Sequence, residues 1–142
     1  MLVARDFNGN LLSDGVNTYT YDYANRLIAV NGQNPTTYAY GGLGDRQQQN
    51  GINYTLDLNT GLTQVLADGT NTYLYGNGRI AQSELMTEYY LTDALSSVRQ
   101  LVNMNSAITL TQSNAPYGEV IQSVGTSQTN YAFTGEMRDA NG

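Results

Sequence analysis

The stretch Thr18-Tyr-Thr-Tyr-Asp-Tyr-Ala-Asn-Arg-Leu-Ile-Ala-Val30 constrains this chain more than any other. A run of Tyr and Thr is followed by polar turn residues from Asp22 to Asn25, then by Arg26 and a short apolar run. Two β-prone runs joined by turn residues spell a hairpin. In the first run Tyr19 and Tyr21 share one face of a strand and Thr18 and Thr20 the other, because side chains alternate.

The same grammar returns along the chain. It reads Thr37-Tyr-Ala-Tyr40 leading to Arg46, Asn53-Tyr-Thr-Leu-Asp57, and Thr72-Tyr-Leu-Tyr75 leading to Arg79. Later copies run from Tyr89 through Asp93 and Arg99 to Val102, then Ala115-Pro-Tyr-Gly-Glu-Val-Ile121 and Tyr131-Ala-Phe-Thr-Gly-Glu136. The leading aromatics Tyr19, Tyr38, Tyr54, Tyr73 and Tyr90 are spaced by 19, 16, 19 and 17 residues. Such a period holds one hairpin and is too short for a strand–helix–strand unit, so each repeat buries its aromatic face only against its neighbours. The fold class expected is all-β: stacked antiparallel hairpins in a twisted or coiled sheet, open at both ends. Residues 1–142 form a single unit in this reading, with repeats over 1–88 and a distinct segment over 89–142.

Two windows leave alternatives. Asn31-Gly32 and Asn50-Gly51 are hairpin signals, since both residue types tolerate positive φ. From Leu91 to Val102, by contrast, apolar residues also fall at helical spacing. A helix over 91–103 therefore competes with a hairpin turning at Asp93 to Ser97.

Composition removes whole classes of chemistry. The 142 residues contain no Cys, His, Trp or Lys, and the six basic residues are all Arg. Thiol nucleophiles, imidazole bases, disulfides and ordinary zinc sites are thereby absent. A net charge of −6, with the Arg residues dispersed, argues against nucleic acid as a partner. No window approaches the roughly 20 apolar residues of a membrane-spanning helix. The first residues lack the basic and apolar regions of a secretion signal.

The remaining site chemistry is weak. Asp22, Asp57 and Asp93 with Asn25 have the oxygen ligands of a calcium site, yet lack its loop spacing, and capping of their own turns is favoured. Glu84, Glu88 and Asp93 contain no pair at a defined spacing for hydrolysis. No catalytic, cofactor or metal residue is assigned, and the chain reads as non-enzymatic. Tyrosines are expected as packing groups before they are sugar- or peptide-binding groups. The Arg after each turn is expected over aromatic faces or paired with a turn Asp. Asn53-Tyr54-Thr55 is a glycosylation sequon.

Tyr19-Thr-Tyr-Asp-Tyr-Ala-Asn-Arg-Leu27 resembles the tyrosine–aspartate (YD) repeat of the Rhs family. Tyr90-Leu-Thr-Asp-Ala-Leu-Ser-Ser-Val-Arg99, Pro116-Tyr-Gly-Glu-Val120 and Tyr131-Ala-Phe-Thr-Gly-Glu-Met-Arg-Asp-Ala-Asn-Gly142 resemble, in order, the start of that family's core segment. Ser96 stands where the family has Gly, and Ala115 where it has Asp. The family's self-cleaving segment would follow Gly142, so that activity is not carried over. The resemblance favours the hairpin over 91–103. It implies structural repeat positions at Tyr19, Tyr21, Asp22, Arg26, Tyr38, Tyr40, Arg46, Tyr54, Tyr73, Tyr75, Arg79, Tyr90, Asp93, Arg99, Tyr117, Tyr131 and Phe133. It also implies an extracellular or cell-surface setting, and repeats that wind into a shell around a toxin.

Two functions follow. In the first, Asp139-Ala-Asn-Gly142 and Leu2-Val-Ala-Arg5 complete each other's repeat, and copies join head to tail into a filament. In the second, the chain is part of a longer shell enclosing a toxin cargo. A glycan-binding adhesin working through exposed tyrosines is a third reading.

Overall fold

The computed structural model describes residues Val3–Asp139 as fifteen strands and one short 3-10 turn. In chain order these are β1 (Ala4–Arg5), β2 (Leu11–Ser13), β3 (Thr18–Tyr21), β4 (Leu27–Asn31), β5 (Thr36–Tyr40), β6 (Arg46–Gln49), β7 (Ile52–Asn53) and β8 (Thr55–Asp57). There follow β9 (Gln64–Ala67), β10 (Thr72–Gly76), β11 (Gly78–Ser83), β12 (Thr87–Thr92), β13 (Val98–Asn103), β14 (Ile108–Asn114) and β15 (Val120–Gly125), then the 3-10 turn Phe133–Gly135. The strands lie in two antiparallel sheets of consecutive hairpins, neither closed into a barrel. The fold class expected from the repeat is the one observed. The ambiguous window is the β12–β13 hairpin.

One turn recurs throughout. Its first amide bonds the carbonyl of its fifth residue, and its fourth amide bonds the carbonyl of its first. The turns opening at Asp6, Asp22, Gly41, Asp93, Asn103, Ala115 and Ala132 all have both bonds, at 2.7–3.4 Å. The fourth residue is always left-handed: Gly9, Asn25, Gly44, Ser96, Ser106, Gly118 and Gly135 have φ from 60° at Asn25 to 96° at Gly118. Where the first residue is Asp or Asn, its side-chain oxygen accepts the third and fifth amides as well. Asp22 bonds Ala24 and Arg26 at 2.9 Å each, and Asp93 bonds Leu95 at 2.9 Å and Ser97 at 3.0 Å. This is the local reason for the repeated Asp: one carboxylate satisfies two amides that the tight turn leaves without carbonyl partners.

A bulge follows two positions beyond the fifth residue. The unpaired residue is Leu12, Ile28, Gln47, Arg99, Thr109 and Ile121 in the six turns that open into a strand. Turn and bulge therefore travel together as the unit of the repeat, and each bulge adds twist. Asn50-Gly51 makes a different, two-residue turn with φ of 52° and 81°, as the dipeptide demands. Asn31-Gly32 does not. Asn31 ends β4, and the connection to β5 runs on to Pro35.

Two compact units divide at Gly69 and Thr70. This is a boundary of contacts, whereas the one after residue 88 is a boundary of motifs. The first unit holds the sheet β1 to β7 in chain order and the hairpin β8–β9. Among the described residues its buried apolar side chains are Val30 and Tyr38. The second unit pairs β10 to β15 in succession, and buries Tyr73, Ala81, Tyr90, Val98, Leu101, Leu110, Tyr131 and Ala132.

The second unit gets its larger core from a strap. After Gly125 the chain leaves β15, and residues 126–138 turn back across one face of the sheet. Gly125 permits this because its φ is 138° and a Cβ there would lie 2.2 Å from the Thr109 carbonyl oxygen. The side chains facing the strap, among them Tyr73, Gln82, Glu88, Tyr90, Leu101 and Gln112, share one face by register.

Candidate functional site

The strap and the sheet face beneath it hold the densest chemistry among the described residues. Tyr131 is the centre. It is 2% exposed, and its ring meets Tyr73 edge-on at 5.0 Å and Tyr90 edge-on at 6.5 Å between centroids. The Arg79 guanidinium lies over the Tyr131 ring at 3.0 Å and also faces Tyr73, Tyr75 and Tyr90 at 5.4–5.9 Å. Its Nη1 donates to the Gly135 carbonyl at 3.0 Å, and its Nε to the Tyr75 hydroxyl at 3.2 Å. Burial pushes the Tyr131 phenol far above its ordinary value of 10.0, and the nearby Arg79 charge offsets only part of that. The ring is a neutral packing group at any physiological pH.

A polar network fastens the strap on either side of that ring. Gln82 Nε2 donates to the Gln128 carbonyl at 2.7 Å and to Glu88 Oε2 at 3.1 Å. The Tyr90 hydroxyl donates to Gln82 Oε1 at 2.6 Å and shares a bond with Thr129 Oγ1 at 3.1 Å. The Ser127 hydroxyl donates to Glu88 Oε1. Further on, Gln112 Nε2 donates to the Tyr131 carbonyl at 3.3 Å, the Val98 amide to the Ala132 carbonyl at 2.8 Å, and the Thr134 amide to Ser97 Oγ at 3.0 Å. Phe133 lies against Gly118, where a Cβ would come within 3.2 Å of the ring.

Glu88 is 8% exposed. Burial raises its carboxyl, but hydrogen bonds from Ser127, Thr109 and Gln82 together outweigh burial and leave it below the ordinary 4.5. With Glu84 it lines a cleft of about 500 Å³ at the start of the strap. Asp93 is not among the lining residues, since it caps the β12–β13 turn. Among the described residues no group of three or more acidic side chains is arranged to hold a metal ion.

The other repeat positions serve their own turns and strands. Tyr19 donates to Asp14 at 2.7 Å, Tyr40 to the Leu27 carbonyl at 2.8 Å, and Tyr54 to Gln49 at 2.6 Å. Arg26 forms an ion pair with Asp22 of its own turn at 2.7 Å and lies over Tyr40 at 4.9 Å. Arg46 lies over Tyr38 at 5.2 Å and Tyr54 at 5.9 Å. Tyr21 is half-buried at the end of β3, and Arg99 is the bulged residue of β13. Tyr117 is 99% exposed within its turn. Tyr131 and Phe133 carry the repeat's residue pattern, but nothing in that pattern marks the strap they belong to. Gln82, Gln112, Ser127 and Thr129 went unnoticed because isolated polar residues in β-prone runs have no local signature.

Comparison with known proteins bears on the fold. No family model and no curated protein matches the sequence. Among solved structures, a Photorhabdus luminescens Tc holotoxin pore is similar, with a TM-score of 0.66 at 14% identity. The similarity covers 96% of this chain and 8% of that one. The fold is shared with a small part of a much longer protein.

Proposed function

We propose that this chain is a wall segment of a larger YD-repeat shell of the Rhs type, one that encloses a protein toxin outside the cell that makes it. The observation that carries this reading is the fold match, spanning nearly all of this chain and 8% of a toxin-complex chain. The repeat supports it: seven copies of one turn, six followed by a bulge, make a sheet that grows by adding hairpins. The strap closes one face of the second unit's sheet. On the opposite face Leu74, Tyr89 and Leu91 are 57%, 41% and 46% exposed, an apolar surface open to a protein. In this role the chain has no enzymatic activity and no cofactor. Its partners are neighbouring repeats and the cargo.

The head-to-tail filament has less support, because Leu2 and residues 140–142, on which it depends, lie outside the described residues. The glycan-binding reading loses Tyr38, Tyr73, Tyr90 and Tyr131, which are buried, and retains the exposed Tyr23, Tyr89 and Tyr117.

The test is the size of the native polypeptide. An antibody against this chain should detect, in its source, a protein many times heavier than 15.5 kDa that appears hollow in electron micrographs. A native polypeptide of 15.5 kDa would end the shell reading.

A further inference from the structure

Sheet edges invite other strands, and proteins blunt them with short strands or charges. Among the described residues four strands stand at sheet edges. β1 has two residues, one of them Arg5; β7 has two; β8 has three and includes Asp57. β15 departs from this pattern. It has six residues, Val-Ile-Gln-Ser-Val-Gly, without a charge or a proline. Ile121 and Val124 are 66% and 60% exposed. From Gln122 to Gly125 it pairs with β14 without interruption, and the one irregularity lies at the Ser113–Asn114 end.

We propose that β15 pairs antiparallel with β15 of a second copy, making a two-fold dimer through this edge. Direction and spacing follow from the ladder already present. The Thr126 amide bonds the Thr109 carbonyl at 3.0 Å. Alternation along the strand therefore points the amides of Val124 and Gln122 toward β14 and those of Ser123 and Gly125 outward. Among the described residues no strand pairs with this outward side, and β15 is the last strand of its sheet. A second copy fits this edge because the strand holds no charge. Paired with itself it sets no like charges opposite each other. Antiparallel self-pairing is isologous and closes at two. The inference stands apart from the shell reading and from the head-to-tail filament, which grows without limit.

Sedimentation equilibrium over a hundredfold concentration range tests it. The weight-average mass should rise from 15.5 kDa to twice that value and stop. Ser123→Pro removes an outward amide and leaves the bonds to β14 in place. Val124→Lys puts a charge on the exposed face of the same edge. Both variants should stay monomeric at concentrations where the unaltered chain is dimeric, with unchanged far-ultraviolet circular dichroism. A monomer at every concentration would overturn the proposal and leave the edge to a strand from a longer parent chain. So would growth beyond the dimer, or a dimer that survives in both folded variants.

Discussion

Ser96 and Ala115 are the two residues at which this chain departs from the family it resembles, and the shared turn gives both a physical meaning. Ser96 occupies the left-handed fourth position with φ of 64°. A side chain there costs roughly 1–2 kcal/mol, of which the greater freedom of Gly in the unfolded chain takes back about 0.4–1. Ser96→Gly should therefore stabilise the protein by about 0.5 kcal/mol in urea unfolding. Ala115 occupies the first position, where Asp accepts two amides in the turns at Asp22 and Asp93. Ala115→Asp should add about 0.5–1.5 kcal/mol. If neither substitution stabilises the fold, the turn is not the unit described above.

Glu88 makes a prediction in pH. Its folded value lies below the ordinary 4.5, so ionised Glu88 favours the folded state. That contribution is complete above the ordinary value and disappears as pH falls through the folded one. Glu88→Gln should flatten the fall in stability below pH ~4.5 measured by thermal unfolding in acid. An acid limb equally steep in the variant would remove Glu88 from the network's energetics.

At the scale of elements, the strap is what distinguishes the second unit from a bare run of hairpins. A sheet with one face uncovered leaves its apolar side chains in water, and residues 126–138 cover that face by a different route from a further hairpin. Tyr131→Ala should cost about 3–5 kcal/mol, the loss for a large aromatic in a packed site. Arg79→Met should cost about 2 kcal/mol, because it removes a desolvated cation from four rings. The two losses should fall short of additive, since Arg79 stands directly over Tyr131. Urea titrations of both variants and of the double variant check all three values. Additive losses would mean that the two groups act separately.

For the whole molecule, burial is uneven. Among the described residues the first unit buries two large apolar side chains and the second buries eight apolar ones. Apolar burial is the main source of stability, so the first unit should open first. Amide exchange should be faster at Val30, buried in β4, than at Leu101, buried in β13, under conditions where both stay folded. Equal protection at the two positions would show one cooperative unit.

How much was legible from the chain follows from the range of each interaction. Hairpins, turn positions and the pairing of Arg26 with Asp22 act within about five residues, and the residue order alone specifies them. An Asp that bonds amides two and four positions on needs no distant partner. A residue with positive φ signals its turn wherever that turn sits. The 91–103 window was ambiguous because apolar spacing alone suits a helix too, and the Asp93 turn decides for the hairpin. The strap was not legible. Arg79 meets Gly135 across 56 residues, and Gln82 meets Gln128 across 46. Tyr117 and Tyr131 look alike in sequence, each followed by a small residue and, within five positions, a Gly-Glu pair. One is 99% exposed and the other 2%, because only the return of the chain across the sheet places a ring between Tyr73 and Tyr90. Local hydrogen bonding belongs to the sequence by itself; which aromatics become core is decided only when distant segments meet and exclude water.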